Sequence, residues 1–345
     1  MAVSGAAQIH RFRDVWRIFE QYLHHLMQTT TDILLLGAGG KVARSIARLF
    51  LMETDWAITF LSSRDVSSVY PQSARAQVLQ CSATDTKEVR NLCARLRPKV
   101  VINCAAMTNV DACESDKQQA SSLNVKVVEN LVRACSIHEA HLIHFSTDYV
   151  FNGEKGPYTE TDVPDPINYY GRTKLAGENA ILTSGIPATI LRTNIVYGRL
   201  PGVKTDFVTW VRDSCATGTV ISVVNDQFGN PTAASDLALA TKRVIEKGRT
   251  GIYNIAGPEY LDRYSFARRI ADFFALDSSN IQPQSTAMLN QAAKRPLRAG
   301  LITLKAETDL GLKPTCIDDG LLEYKRASQS RPSVLDDYSS TSSES

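Results

Sequence analysis

The chain has 345 residues, 43% of them hydrophobic, enough to bury a large core in one extended domain or two. Its 38 basic and 36 acidic side chains leave a formal charge of +2. They are evenly mixed, with no long basic block that would track a phosphate backbone, so nucleic acid is not an expected partner. No apolar run approaches the roughly 20 residues that span a bilayer, and a soluble protein is expected. The seven cysteines stand singly, without a CxxC pair or a nearby histidine at zinc-ligand spacing. They are read as reduced thiols of a cytoplasmic protein.

Residues 1–30 form an N-terminal extension. Its stretch HRFRDVWRIFEQYLHHLM has the apolar spacing of an amphipathic helix but not the uninterrupted apolar centre of a signal peptide. Met27 stands just before the first apolar strand, so the extension is read as an over-called start or an appended helix without a catalytic part. From there β-branched and apolar runs at 32–38, 56–62, 76–81, 99–106, 141–147, 188–193 and 251–257 are expected as strands. Amphipathic segments at 41–52, 85–96, 118–138, 169–184 and 234–247 are expected as helices. Such alternation implies an α/β fold, a Rossmann-type doubly wound parallel sheet. Residues 31–193 with 233–257 are assigned to that dinucleotide-binding domain. Residues 194–232 with 258–325 are assigned to a smaller C-terminal substrate-binding lobe over the carboxyl ends of the strands. Residues 326–345, rich in serine, are expected to be a disordered tail.

The first strand runs into GAGGKVARSIARLF, residues 37–50. Gly37 permits a tight turn, Gly40 lets the backbone approach a pyrophosphate, and the small Ala43 allows the helix to pack closely on the sheet. Gly39 and Val42 belong to the same candidate cofactor loop. Further along, NYYGRTKLAGE (168–178) sets Tyr170 and Lys174 one helical turn apart on one face, with Tyr169 pointing elsewhere. An ammonium beside a phenol favours the phenolate, which would make Tyr170 a better general acid near neutral pH. Upstream, HFSTDYVF (144–151) ends a strand with the hydroxyls of Ser146 and Thr147.

The spacing Gly37, Gly40, Ala43, followed in order by Ser146 and Thr147 and then Tyr170 and Lys174, resembles the short-chain dehydrogenase/reductases. By that resemblance Thr147 bonds the substrate carbonyl and Tyr170 protonates its oxygen. Lys174 holds the nicotinamide ribose and lowers the Tyr170 pKa, while Tyr169 packs or touches substrate. Asn124, in SLNVKVVENL, matches a helix asparagine that orders the active site of such enzymes, and would serve equally as an ordinary polar helix residue. Ala105 and Ala106, in NCAAMT, resemble the segment beneath the cofactor. Small Ser62 and Ser63 followed by Arg64, with Lys41 in the glycine loop, suit the 2'-phosphate of NADPH, while Asp65 leaves NADH open. Cys81 stands where many relatives carry an adenine-binding aspartate.

STDYVFNGEKGPYTETDVPDPINYYGRTKLAGE, LRTNIVYG (191–198) and DQFGNPT (226–232) narrow the resemblance to the dTDP-4-dehydrorhamnose reductases, over residues 32 to 325. That branch delivers hydride from NADPH to C4 of a 4-keto-6-deoxy sugar carried on dTDP, in deoxysugar biosynthesis. It implies that Asn194, Asp226, Gln227, Pro231, Thr232 and Arg295 face the nucleotide sugar. Two departures fall on the substrate side. Asn194 and Ile195 stand where the reductases often carry an aromatic residue, and Ala299 replaces the serine of an RPxxS stretch. Some members pair as homodimers with Mg2+ between subunits, but no carboxylates of this sequence are assigned to such a site. Two other functions fit the same residues: another nucleotide-sugar 4-reductase or epimerase, and a non-catalytic regulatory subunit like that of methionine adenosyltransferase.

Overall fold

A computed structural model describes residues 31–70, 73–200, 202–203 and 205–329. The N-terminal extension before residue 31 and the tail beyond residue 329 lie outside the described residues. The centre is a seven-stranded parallel sheet in the order β11-β6-β5-β4-β1-β2-β3. Its strands are β1 (Ile33–Leu36), β2 (Ile58–Ser62), β3 (Ala76–Gln80), β4 (Val100–Asn103), β5 (His141–Thr147), β6 (Ala188–Thr193) and β11 (Gly251–Asn254). All seven expected strands pair in this one sheet. β1 runs ILLL with every residue buried, as a strand covered on both faces must.

Helices cover the two faces. On one, α1 (Lys41–Glu53) packs against α8 (Ala234–Lys247), and Ile46, Phe50, Leu237 and Val244 join Leu35 and Phe60 in a core. On the other lie α2 (Thr86–Leu96), α5 (Val127–His138) and α6 (Tyr169–Leu182), with Leu92, Leu131 and Ile181 packed on Leu34 and Leu142. The short helices α3 (Val110–Ser115) and α4 (Lys117–Ser121) precede α5, joined to it by a π turn over Ser122–Lys126. β1 and β4 are neighbours, and the strand order reverses between them. The crevice beyond their carboxyl ends is where open α/β sheets bind ligands.

The remaining elements make a smaller body with its own core of Tyr197, Val208, Val211, Phe266, Ile270, Leu321 and Tyr324. It contains α7 (Phe207–Ala216), α9 (Arg263–Phe273) and α11 (Ile317–Gln329). Three two-stranded pairs stitch it together: β7 (Val196–Tyr197) with β10 (Thr232–Ala233), β8 (Ile221–Val224) with β13 (Ile281–Gln284), and β9 (Phe228–Gly229) with β12 (Leu261–Asp262). Two boundaries differ from expectation. Helix α10 (Leu304–Leu310) buries Ala306 and Leu310 in the core of the large sheet, because its apolar stripe meets α8 and β11. The chain from residue 326 continues as helix to Gln329, with Tyr324 buried behind it.

Among the described residues no helix is long and apolar enough to cross a membrane, and no three His, Cys, Asp or Glu side chains are grouped to hold a metal ion.

Candidate active site

Gly37 leaves β1 with a φ of +76°, a left-handed conformation that glycine adopts without penalty. A Cβ there would stand 2.7 Å from the Ala105 nitrogen and 2.8 Å from the Cys104 carbonyl carbon, so the turn lies flush against the segment that follows β4. Gly40 is the N-cap of α1 in extended conformation, with no side chain to cap the helix and no acidic residue in its first turn. The first-turn amides of Lys41, Val42 and Ala43 therefore face outward with the positive end of the helix dipole, a ready site for an anion. Gly39 faces the end of β2, where a Cβ would stand 3.8 Å from Ser62 Oγ. Arg64 is exposed just beyond, its amide donating to Ser62 Oγ at 3.2 Å. These groups fit a dinucleotide: anion-binding amides at the crevice, open backbone at Gly39, the small Ala105 and Ala106 beneath, and a cation beside the second strand.

Lys41 is placed differently from expectation. Its Nζ lies 2.5 Å from Asp206 Oδ2 and 2.5 Å from the Gly198 carbonyl, because α7 of the smaller body abuts the glycine turn. It is committed to that carboxylate, not available to a 2'-phosphate.

β5 carries Ser146 and Thr147 to the same crevice. The Thr147 hydroxyl accepts from the Tyr149 amide at 3.2 Å and donates to Asp148 Oδ1 at 3.1 Å. Tyr170 is the second residue of α6, whose N-cap Asn168 accepts from the Gly171 amide at 2.8 Å. Gly171 sets the approach: a Cβ there would stand 2.1 Å from the Tyr149 carbonyl oxygen, so only glycine lets the helix start this close to the 148–150 turn. The Tyr170 ring meets Tyr149 edge-on at 5.9 Å. Burial lifts the Tyr170 phenol above its ordinary range, and hydrogen bonding with the Thr147 side chain works against that rise.

Lys174 shares the buried face with Tyr170, yet its Nζ turns to the Phe145 carbonyl at 2.6 Å and to His144 Nε2 at 3.1 Å. The charges acting on the phenol come from Asp148, Tyr149 and Cys113, all of which raise it. The expected lowering by Lys174 is therefore not seen in this arrangement, since the lysine spends its hydrogen bonds on β5. Burial brings Lys174 down to about 8. Asn124 sits in the π turn, fully buried, its Oδ1 accepting from the Met107 amide at 2.8 Å and its Nδ2 donating to Thr173 Oγ1 at 3.0 Å. It ties the loop after β4 to α6 and touches neither Tyr170 nor Lys174 by a hydrogen bond. Ser146 Oγ is buried without a hydrogen-bond partner, a polar group aimed where protein supplies none. Tyr169 is half-buried, with Lys117 Nζ 5.5 Å over its ring.

On the substrate side several expected contacts are engaged within the protein. Asp226 accepts from the Thr286 amide and hydroxyl, and Gln227 donates to the same hydroxyl at 2.9 Å. Arg295 Nη2 donates to Asp111 Oδ2 at 2.6 Å, holding the 293–295 segment against α3. Pro231 is buried, and Thr232 is fully buried with its hydroxyl on the Asn230 carbonyl and 3.3 Å from Asn194 Oδ1. Asn194 in turn donates to Asp148 Oδ2 at 3.2 Å. These residues, expected to face the nucleotide sugar, are held in place by bonds within the protein. Ile195, beside them, has a φ of +40°, a strained conformation for a β-branched residue.

Sequence reasoning missed Asp148. It is fully buried, and burial pushes its carboxyl up to about 6 against the hydrogen bonds from Asn194, Thr147 and the Gly300 amide. An aspartate between two strand-end hydroxyls and an aromatic run was a visible signal. Asn103 and His144 were missed as well, although a histidine inside the apolar run HLIHF is an anomaly worth a partner.

The family described as RmlD substrate binding domain matches residues 31–329. The chain belongs to that family. A probable low-salt glycan biosynthesis reductase, Agl14, of Haloferax volcanii is 35% identical over 76% of this chain and 86% of its own length. Methionine adenosyltransferase 2 subunit beta of Rattus norvegicus is 33% identical over 80% and 81%. The dTDP-4-dehydrorhamnose reductase of Mycolicibacterium smegmatis is 34% identical over 82% and 81%. Among solved structures, a dTDP-4-dehydrorhamnose reductase of Clostridium acetobutylicum superposes with a TM-score of 0.75 at 30% identity, covering 86% of this chain and 99% of that one. The Bacillus anthracis reductase in complex with NADP gives 0.74 at 26%, covering 85% and 98%. The Rossmann-type sheet and smaller lobe are thus those of this family.

Proposed function

We propose that the protein is an NAD(P)H-dependent oxidoreductase that reduces a nucleotide-sugar carbonyl, with C4 of a dTDP-linked 4-keto-6-deoxy sugar as the substrate position. The observation that carries this reading is the buried Thr147–Tyr170 pair beside an uncapped glycine turn, under the 293–301 segment of the smaller lobe. Support comes from family membership and from reductase relatives at 34% identity.

Gly37, Gly39, Gly40, Val42, Ala105 and Ala106 would hold the dinucleotide, and exposed Arg64 favours NADPH. Bound NADPH supplies the hydride. The protein supplies the proton and the alignment. Tyr170 gives its phenolic proton to the carbonyl oxygen as negative charge develops there, and its raised pKa keeps that proton in place until the carbonyl demands it. Thr147 orients the same oxygen. Lys174 places a cation on the ribose side, and Asn124 fixes the Met107 backbone that walls the pocket. Asn194, joined to both Asp148 and Thr232, positions the sugar side.

The test is oxidation of NADPH by purified protein with dTDP-4-dehydrorhamnose generated in situ, beside a Tyr170→Phe control. Oxidation that the variant loses supports the reading, and bound cofactor with no oxidation against any 4-keto sugar nucleotide refutes it. A second reading, a regulatory subunit, is favoured by the methionine adenosyltransferase relatives at 33% identity and by the withdrawal of Lys174 from the phenol. A stoichiometric complex with a methionine adenosyltransferase, without turnover, would establish it instead.

A further inference from the structure

A chain of four polar groups runs under the site. The Ala105 amide donates to Asn103 Oδ1 at 3.1 Å. An N–H needs an acceptor, which fixes the orientation of the Asn103 side chain: oxygen toward Ala105, nitrogen toward His144. Asn103 Nδ2 is 3.1 Å from His144 Nδ1. That nitrogen must accept, so the proton of a neutral imidazole sits on Nε2. Nε2 lies 3.1 Å from Lys174 Nζ. The N–H of the ring then points at the lysine, and only an uncharged amine offers a lone pair to receive it. The amine also donates to the Phe145 carbonyl at 2.6 Å, leaving one N–H for the crevice.

We infer that His144, oriented by Asn103, is a positioning residue that lowers the proton affinity of Lys174 by donating a hydrogen bond to its amine. Asn103 and His144 are both 1% exposed, so water does not compete for these contacts. Gly177 packs α6 onto the π turn beside this pair, since a Cβ there would lie 2.8 Å from the Asn124 carbonyl oxygen.

The other titratable neighbours do not overturn the assignment. Burial, with the lysine charge, holds His144 well below its usual range, so the ring is neutral. Burial raises the Cys104 thiol far above its ordinary value, so it too is neutral. Tyr170, one turn back, keeps its proton for the same reason. Glu178 is the one negative group acting on Lys174, and it is locked on Arg192 at 2.6 Å. Below about 8 the lysine takes up its proton. The His144 contact then sets donor against donor, or the ring changes tautomer and gives up Asn103. Lys174 is thereby a cation that is easily discharged, and its charge state is set from beneath the sheet.

The consequence for catalysis rests on the reductase reading, but the first test does not. Long-range proton–nitrogen spectra of protein with 15N-labelled histidine rings, assigned with a His144→Gln variant, read the tautomer directly. At a pH of about 9 His144 should be the Nε2–H tautomer, and its signals should move with a midpoint near 8, that of Lys174. An Nδ1–H tautomer, or formation of imidazolium near the ordinary 6.5, would overturn the inference. In the second test, kcat/KM for NADPH reports groups of the free enzyme. Its alkaline limb should move up by roughly one pH unit in His144→Leu, which removes the donor. It should stay near the parent in His144→Gln, whose amide can present an N–H to Nζ. A limb unmoved in His144→Leu overturns the inference too. The Nε2–H signal without sugar reduction would keep this wiring and sink the reductase. An active reductase with an Nδ1–H ring would do the reverse.

Discussion

Replacing Glu178 with glutamine should unfold much of the margin of this protein. Arg192 on β6 and Glu178 on α6 are 2% and 0% exposed and meet through two hydrogen bonds, Nε to Oε1 at 3.0 Å and Nη2 to Oε2 at 2.6 Å. Arg192 also lies 5.1 Å over the Phe151 ring, and its Nη1 has no partner. A glutamine keeps one acceptor but turns an NH2 toward Nη2, and it strands a guanidinium in the interior. Breaking a buried pair from one side costs about 3–5 kcal/mol, and the Phe151 contact, present before and after the change, leaves that difference as it is. A loss of about 3 kcal/mol, at an m-value of about 3 kcal/mol per molar urea, lowers the unfolding midpoint by about 1 M. Trp56 and Trp210 provide the fluorescence signal. The double change Glu178→Leu with Arg192→Met removes both charges and should recover at least half of the loss, because the penalty belongs to the unpaired ion. A single-variant loss below about 1 kcal/mol would refute the reasoning, since a guanidinium held dry cannot lose its counter-charge so cheaply.

Three other outcomes are expected. Tyr170→Phe should lower kcat for sugar reduction by about 10²-fold or more while leaving the dissociation constant for NADPH, read by nucleotide fluorescence, near that of the parent. Gly37→Ala drives a Cβ to 2.7 Å from the Ala105 nitrogen at a φ of +76°, and should weaken NADPH binding and lower the thermal midpoint together. Lys174 has a folded-state pKa of about 8, below its ordinary 10.5, so the unfolded chain binds the extra proton between those values. Stability conferred by this group therefore rises with pH across that window, by roughly 3 kcal/mol in all. Lys174→Met should remove this contribution, so the parent should gain on the variant between pH 8 and pH 10 when urea melts of both proteins are compared.

The parallel sheet was legible because each of its strands is a short run of apolar and β-branched residues, and the glycine turn follows the first of them. The outer ends of the five expected helical segments were legible within two residues for the same reason, since their apolar stripes have a helical period, whereas α3, α7, α9, α10 and α11 were not expected. The three two-stranded pairs of the smaller lobe were not, since runs such as Val196–Tyr197 and Phe228–Gly229 are too short to carry a pattern. The π turn at Ser122–Lys126 left no trace either, because its extra residue is accommodated by tertiary contacts of Asn124. Within the site, residue types and their order pointed to Thr147, Tyr170 and Lys174, whereas partner choice did not follow from type. Lys41 is a cation in a glycine loop in any reading of the sequence; only the approach of α7 turns it to Asp206. Arg295 and Asp111 likewise meet across 184 positions of chain. Charges find partners through the fold, and spacing along the sequence carries no record of it.

The Lys41–Asp206 pair has a consequence for how ligands would be handled. One carboxylate accepts from Lys41, from the Gly198 amide at 3.0 Å and from the Thr209 amide and hydroxyl at 2.9 Å each, so it anchors the glycine turn, the loop after β7 and the start of α7 at a single point. An anion arriving at the first turn of α1 competes with Asp206 for the field of Lys41, and a sugar nucleotide that shifts α7 moves Asp206. Two ligands bound there would be coupled through a shared cation, and linkage would make the coupling equal in both directions. Asp206→Asn would loosen Lys41, the loop after β7 and the start of α7 together, and so would weaken any such coupling.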